Sequence, residues 1–298
     1  MNQTPPMLLP KQIVSANINA AKGKTLHSLP GMILLGFFAG MFIACGASAS
    51  SVAMHAIPNV GLARLVAGCV FPVGLMMIVL VGGELFTGDC LMIMGCMHRK
   101  FSVLSMAKVL VVVWLSNFVG SVLFAAMVNT STQFNFTGGM LGAFTIKVAM
   151  GKLNLSFGAA FISGILCNFF VCIAVLMATA AKDVGGKVWA CFFPILAFVV
   201  SGYEHCVANM YYIPAGIFAA ANESYVEAAM SAYGYTAQQL EATLTWGNML
   251  VSNLLPVTLG NIAGGMLFVG LPLYLIHGAM IRKEEAQANQ AEMFRKRA

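Results

Sequence analysis

Charge is what this sequence has least of. Only 9% of its 298 residues are Asp, Glu, Lys or Arg, against 59% hydrophobic. A water-covered fold is about 25% charged and roughly 45–50% apolar. The shortage excludes a soluble globular domain and a disordered chain, and with them the nucleic-acid binder that a net charge of +6 would otherwise suggest. No Cys-x-x-Cys pair occurs. The eight cysteines (Cys45, Cys69, Cys90, Cys96, Cys167, Cys172, Cys191 and Cys206) lie in apolar or Gly-rich runs without Cys/His ligand spacing, the setting of small packing residues rather than of metal ligands or disulfides. No cleavable leader is expected, because the first 29 residues are polar and mixed, with Pro5, Pro6 and Pro10, and lack a short apolar core. No nucleotide loop is seen, so ATP-driven transport is not expected, and no cofactor or metal is implied.

What is present is a series of long apolar runs. A helix needs about 20 apolar residues to cross the hydrocarbon core. Six stretches qualify, roughly 30–54, 63–97, 104–128, 155–181, 188–219 and 247–279. They predict an all-α polytopic membrane protein, with an N-terminal segment 1–29, a six-helix transmembrane domain 30–281 and a charged tail 282–298. Two spans are interrupted. The second contains Gly82-Gly83-Glu84-Leu85-Phe86-Thr87-Gly88-Asp89, and the fifth contains Ser201-Gly202-Tyr203-Glu204-His205. Ionisable groups at membrane depth are costly, and they normally face a cavity or mark a pathway.

Six spans place both termini on one side. Every Lys and Arg falls on that side except Arg64, Lys147 and Lys152, whereas the loop after the fifth span carries Glu223, Glu227 and Glu241 with no basic residue. The positive-inside rule therefore predicts cytoplasmic termini in a multi-pass inner (plasma) membrane protein. Asn129, Asn135 and Asn222 head Asn-x-Ser/Thr triplets in outer loops, which are chance matches unless the source is eukaryotic.

The two halves resemble each other. Asn117-Phe-Val-Gly120 matches Asn261-Ile-Ala-Gly264, Phe71-Pro72 matches Phe193-Pro194, and each break follows ten to twelve residues after its Phe-Pro. With three spans per half, the second half must be inverted. Inverted repeats with broken helices place a substrate site near the midplane. Backbone freed at such breaks is tolerated only inside protein or along a cavity.

The sequence here resembles the formate/nitrite transporter family, pentameric channels for small monovalent anions, over nearly all of residues 20–280. The resemblance rests on Gly83-Glu-Leu-Phe-Thr-Gly88, Ser201-Gly-Tyr-Glu-His-Cys-Val-Ala-Asn-Met210 and Leu255-Pro-Val-Thr-Leu-Gly-Asn-Ile-Ala-Gly264. It implies an aquaporin-like protomer with its own pore, assembled as a homopentamer in the bilayer. It also implies roles. His205 would be the central pore histidine, with Thr87 and Asn261 as polar neighbours. Leu75 and Leu85 would form the cytoplasmic constriction, and Phe71, Phe198 and Val171 the outer one. Lys24, or Lys22 in its place, and Lys152 would attract anions. Glu84 and Glu204 are read as structural acids that accept bonds from freed backbone N–H groups and neighbouring subunits. Asp89 and Arg64 are left without a role.

Desolvating a small anion in a dry slit is far more expensive than desolvating a neutral acid. Histidine is the side chain that exchanges protons near neutral pH. The expected function is therefore passage of a weak-acid anion, formate first and nitrite or hydrosulfide as alternatives, made transiently neutral by a proton from His205 directly or through water. The partners are the anion and protons. Two other classes were weighed. An intramembrane enzyme lacks a nucleophile or metal set beside Glu204 and His205, and a neutral-solute channel would not need vestibule lysines.

Overall fold

The computed structural model describes residues 6–297; the first five residues of the N-terminal segment and Ala298 of the tail lie outside it. Twelve helical elements follow one another among these residues. They are α1 (Pro10–Thr25), α2 (Leu29–Met54), α3 (Val60–Val81), α4 (Phe86–Met97), α5 (Val103–Thr130) and α6 (Met140–Leu153). The second set is α7 (Phe157–Ala180), α8 (Val184–Ser201), α9 (Cys206–Ala219), α10 (Glu223–Tyr233), α11 (Ala237–Thr243) and α12 (Trp246–Ala291, its backbone helical on to Arg297).

Six of these, α2, α3, α5, α7, α8 and α12, are long and apolar enough to span a bilayer. Half or fewer of the residues in each apolar window are buried, and the rest, such as Phe38, Leu104, Val111, Leu123 and Phe193, present apolar surface outward. Polar caps start the helices where the apolar runs begin. Ser28, Asn59, Ser102, Ser156 and Asp183 each accept a first-turn backbone N–H with the side chain.

The inverted repeat is larger than three spans per half. Each half opens with an extra helix, α1 or α6, the first too polar and the second too short to read as a span. The same sequence offset separates Lys24 from Lys152, Ser28 from Ser156 and Gly36 from Gly164. Thus α1, α2, α3, α4 and α5 correspond to α6, α7, α8, α9 and α12, and α10–α11 cover the face opposite the termini. Within the N-terminal segment, α1 packs onto the molecule, with Val14, Ile18 and Ala21 buried. Lys11 pairs with Glu284 of α12, so the two ends of the chain meet on one face. Residues 282–297 continue the backbone helix of α12.

Both broken spans are broken where the sequence indicates, although the first break is shorter than expected. Helix resumes at Phe86 instead of after Asp89. Gly82 (φ +110°) and Gly202 (φ +74°) end the leading helices in conformations that disfavour any side chain. The last break residues, Leu85 (φ −109°, ψ 120°) and His205 (φ −111°, ψ 116°), are extended and nearly identical in backbone geometry.

Close helix packing sets the frame. A Cβ on Gly120 would lie 2.1 Å from the Phe37 carbonyl oxygen, and one on Gly264 would lie 2.3 Å from that of Ile165. These equivalent contacts join α5 to α2 and α12 to α7. Because the opposing atoms are backbone, rotamer changes cannot relieve a clash. Gly120→Val is expected to cost about 3 kcal/mol or more, read as a lowered thermal unfolding midpoint in detergent. A midpoint equal to wild type would contradict this packing.

Candidate functional site

The two breaks meet at the centre of the molecule. Thr87 Oγ1 and His205 Nε2 stand 2.9 Å apart, both buried. The Ala208 N–H donates to His205 Nδ1 at 3.0 Å, so His205 caps α9 with its own ring. That bond occupies Nδ1 as an acceptor and leaves the ring proton on Nε2, which donates to Thr87. Thr87 is the second residue of α4, so the N-termini of both half-helices converge here. Their dipoles place partial positive charge at this point.

Two asparagines hold the freed backbone. Asn117 Oδ1 accepts the Phe86 N–H at 3.0 Å, and its Nδ2 donates to the carbonyls of Gly36 (2.7 Å) and Glu84 (2.9 Å). Asn261 repeats the pattern with the Cys206 N–H (2.9 Å) and the carbonyls of Gly164 (2.8 Å) and Glu204 (3.0 Å). Two further N–H groups at the breaks find partners, that of Glu84 in the Leu35 carbonyl and that of Glu204 in Ser163 Oγ.

These contacts revise two expectations. Asn261 makes no hydrogen bond to the imidazole; its side chain is spent on the Cys206 N–H and the carbonyls of Glu204 and Gly164. Nor do the carboxylates of Glu84 and Glu204 take the freed N–H groups. Their partners are side chains instead: Lys24 for Glu84, with His27 at 3.7 Å, and Lys152 (2.9 Å) and Asn209 (2.6 Å) for Glu204. A short polar side chain reaches both a donor and two carbonyls in a tight turn, whereas a glutamate has no N–H to give the carbonyls.

A cavity approaches the centre from each face. The one on the α6 face has a volume of about 190 Å³ and is lined by Phe71, Phe198, His205, Asn209, Lys152 and Arg64, among others. Phe71 and Phe198 meet edge to face with ring centroids 5.6 Å apart, and Phe198 stacks on His205 at 6.1 Å. The cavity on the terminal face, about 210 Å³, is lined by Leu75, Leu85, Lys24 and Asp89. His205 lines only the first, and Leu75 and Leu85 line only the second. Val171 is buried on α7 and lines neither.

The two lysines named in advance sit at these cavities but are not free charges. Lys24 bridges Glu84 and Asp89, the latter at 2.7 Å. Burial works against its ammonium, yet Asp89 and Glu84 outweigh burial and hold its proton more tightly than on an exposed lysine. Lys152 is paired with Glu204 and lies 5.1 Å from the Tyr212 ring centroid. Arg64 has no carboxylate partner among the described residues; its Nη1 donates to the Val200 carbonyl (3.2 Å) at the end of α8.

Sequence reading missed a chain of fully buried asparagines around this centre. Asn168 donates to the carbonyls of Thr87 (3.1 Å) and Asn261 (2.6 Å). Asn209 Nδ2 donates to Asn253 Oδ1 (2.8 Å), and Asn253 Nδ2 donates to the Lys152 carbonyl (2.9 Å). An asparagine in an apolar run was the available signal, since nothing else there satisfies backbone in both directions.

The fold and its centre define an integral membrane transport protein, built as an aquaporin-like protomer with two half-helices meeting head to head. The family model described as "Formate/nitrite transporter" matches residues 11–275, and the chain belongs to that family. Its members are channels and transporters, not enzymes. The chain is 36% identical to the "Probable formate transporter" of Methanothermobacter thermautotrophicus, across 84% of this chain and 89% of that one. It is 38% identical to the "Formate channel FocA" of Haemophilus influenzae, across 71% and 73%. A solved "Pentameric formate channel with formate bound" superposes with a TM-score of 0.72 at 33% identity, covering 84% of this chain and 97% of the other.

Replacing either break-holding asparagine frees one N–H and two carbonyls in an apolar interior. Asn117→Ala and Asn261→Ala should each cost about 3 kcal/mol, by similar amounts because the two sites are equivalent. Thermal unfolding in detergent checks this, and a large difference between the two would break the equivalence.

Proposed function

We propose that the protein is a channel or transporter for small monovalent anions of weak acids, with formate as the first substrate, acting as a homopentamer in the inner membrane with both termini cytoplasmic. The observation that carries this reading is the junction itself. Two cavities with cationic side chains in their walls approach a buried Thr87–His205 pair from opposite faces, one reaching His205 beside Phe71 and Phe198 and the other stopping at Leu75 and Leu85. The named relatives support formate; the positive-inside pattern supports the orientation.

In this reading, an anion from the α6 face is drawn by Arg64, since the charge of Lys152 is balanced by Glu204. It then reaches His205, whose Nε2–H is a hydrogen-bond donor beside two convergent helix N-termini. A proton from His205, directly or by way of water, makes the anion a neutral acid for the apolar passage. Either route needs His205 as an imidazolium, which must give up the Ala208 N–H at Nδ1; only a proton supplied by cavity water itself would leave that cap intact.

Flux into proteoliposomes of purified protein, comparing formate, nitrite and hydrosulfide while recording internal pH, tests the reading. Saturable formate flux that is reduced in His205→Asn is expected, with internal acidification if the proton crosses too. Preference for nitrite or hydrosulfide would reassign the substrate within the family; no small-anion flux from folded protein would sink it. Arg64→Gln should raise the half-saturating formate concentration by roughly tenfold at low salt, with little change in maximal rate and a smaller effect at high salt. An unchanged half-saturation would remove Arg64 from the entry path.

A further inference from the structure

His205 lines the cavity on the α6 face, and Leu75 and Leu85 close the other cavity. An anion entering from the terminal face therefore meets the apolar leucines before it can reach the histidine. Whatever neutralises it must stand on its own side. The cavity wall there holds one acid with an unused oxygen, Asp89.

Asp89 is 1% exposed. Its Oδ1 faces Lys24 Nζ at 2.7 Å, whereas Oδ2 has no hydrogen-bond partner among the described residues. Lys24 is shared with Glu84, so a single ammonium serves two carboxyl groups. The other groups around the trio are His27 beyond Glu84, Asn17 from α1, Cys172 and Thr179 from α7, and Cys90 on Asp89's own helix. None of them brings a second cation to Asp89. A bare carboxylate oxygen buried without a donor is costly, and one proton removes both the bare oxygen and the charge imbalance.

The inverted repeat supplies the comparison. Asn209 stands five residues after Glu204 as Asp89 stands five after Glu84, lines the opposite cavity, and also keeps one oxygen, Oδ1, without a partner. A neutral amide thus satisfies the same place in the second half. The fold does not demand an acid at position 89.

Resting on the anion-channel reading above, we propose that Asp89 is held protonated in the cavity on the terminal face and passes that proton to an anion entering from that side. The O–H bond of Asp89 breaks as an O–H bond forms on the anion. The electron pair stays on Asp89, whose new charge faces the Lys24 ammonium. The neutral acid then passes Leu75 and Leu85, and water on the entry face returns a proton to Asp89. The pathway thereby has a proton-exchanging group on each side of the leucines: His205 serves one face and Asp89 the other.

The test is a pair of measurements on full-length protein in lipid, wild type against Asp89→Asn, a substitution that reproduces the Asn209 arrangement. Infrared spectra at neutral pH should contain a protonated-carboxyl C=O band that Asp89→Asn removes. Formate flux should fall by roughly tenfold or more in the same variant, with Asp89→Glu restoring part of it. Identical infrared spectra would mean that Asp89 rests ionised, and would overturn the proposal. So would a lost band with unchanged formate flux, because the proton would then be present but unused. Absence of small-anion flux in wild type would be a failure of the channel reading itself, distinguishable because the infrared comparison reads the state of Asp89 without transport.

Discussion

Backbone polar groups with no helix to bond them, buried where water cannot reach, are the constraint on which this structure rests. Each break frees N–H and C=O groups in an apolar interior, and each one left unpaired costs on the order of 1–3 kcal/mol. Asn117 and Asn261 resolve this with one side chain apiece, because an amide can accept from an N–H and donate to two carbonyls at once. The glycine approaches between α2 and α5, and between α7 and α12, bring those amides within reach. Without that close packing the asparagines could not bridge two helices, and without the asparagines the half-helices could not end at the centre.

The frame is symmetric but its occupants are not. The same extended backbone carries Leu85 in one half and His205 in the other. The same helical position carries Asp89 and Asn209, and equivalent acids take their lysines from α1 and α6. Duplication accounts for the scaffold, and the substitutions within it give each face its own chemistry. One cavity ends on an imidazole and aromatic rings with Arg64 as its unbalanced cation. The other ends on leucines with two carboxyl groups around a single lysine. A molecule symmetric in its polar residues as well as its backbone would treat an anion alike from both sides; this one is built to meet it differently.

Much of the frame was legible in the sequence. The six spans follow from hydropathy, the two breaks from Gly and Glu inside apolar runs, and the inverted repeat from matched Asn and Pro residues. What stayed hidden depends on long-range pairing. The spacing of Glu84 and Glu204 suggests caps for freed N–H groups, but it cannot disclose that Lys24 and Lys152 arrive from separate helices to take their charge. Those helices escaped notice because α1 is too polar and α6 too short to register as a span, although the offset between Lys24 and Lys152 already equals that between Gly36 and Gly164. Asn261 was visible as a motif residue, while its partners were not. A motif names which residues matter more readily than it names what they touch.

The paired lysines change how attraction and passage divide between residues. A lysine bonded to a buried carboxylate holds its partner in place more than it draws ions from afar, because the pair is nearly neutral at a distance. Attraction at the cavity then falls to the cation in its wall that has no carboxylate partner among the described residues, and in the cavity on the α6 face that is Arg64. Near the centre the field comes from the two half-helix N-termini, whose partial charges need no counter-ion and pay no desolvation when an anion arrives. Fixed dipoles at the centre and mobile protons at its edges are complementary. In the proposed mechanism the dipoles make the junction hospitable to negative charge, and the protons let the anion cross the leucines and phenylalanines where no dipole points.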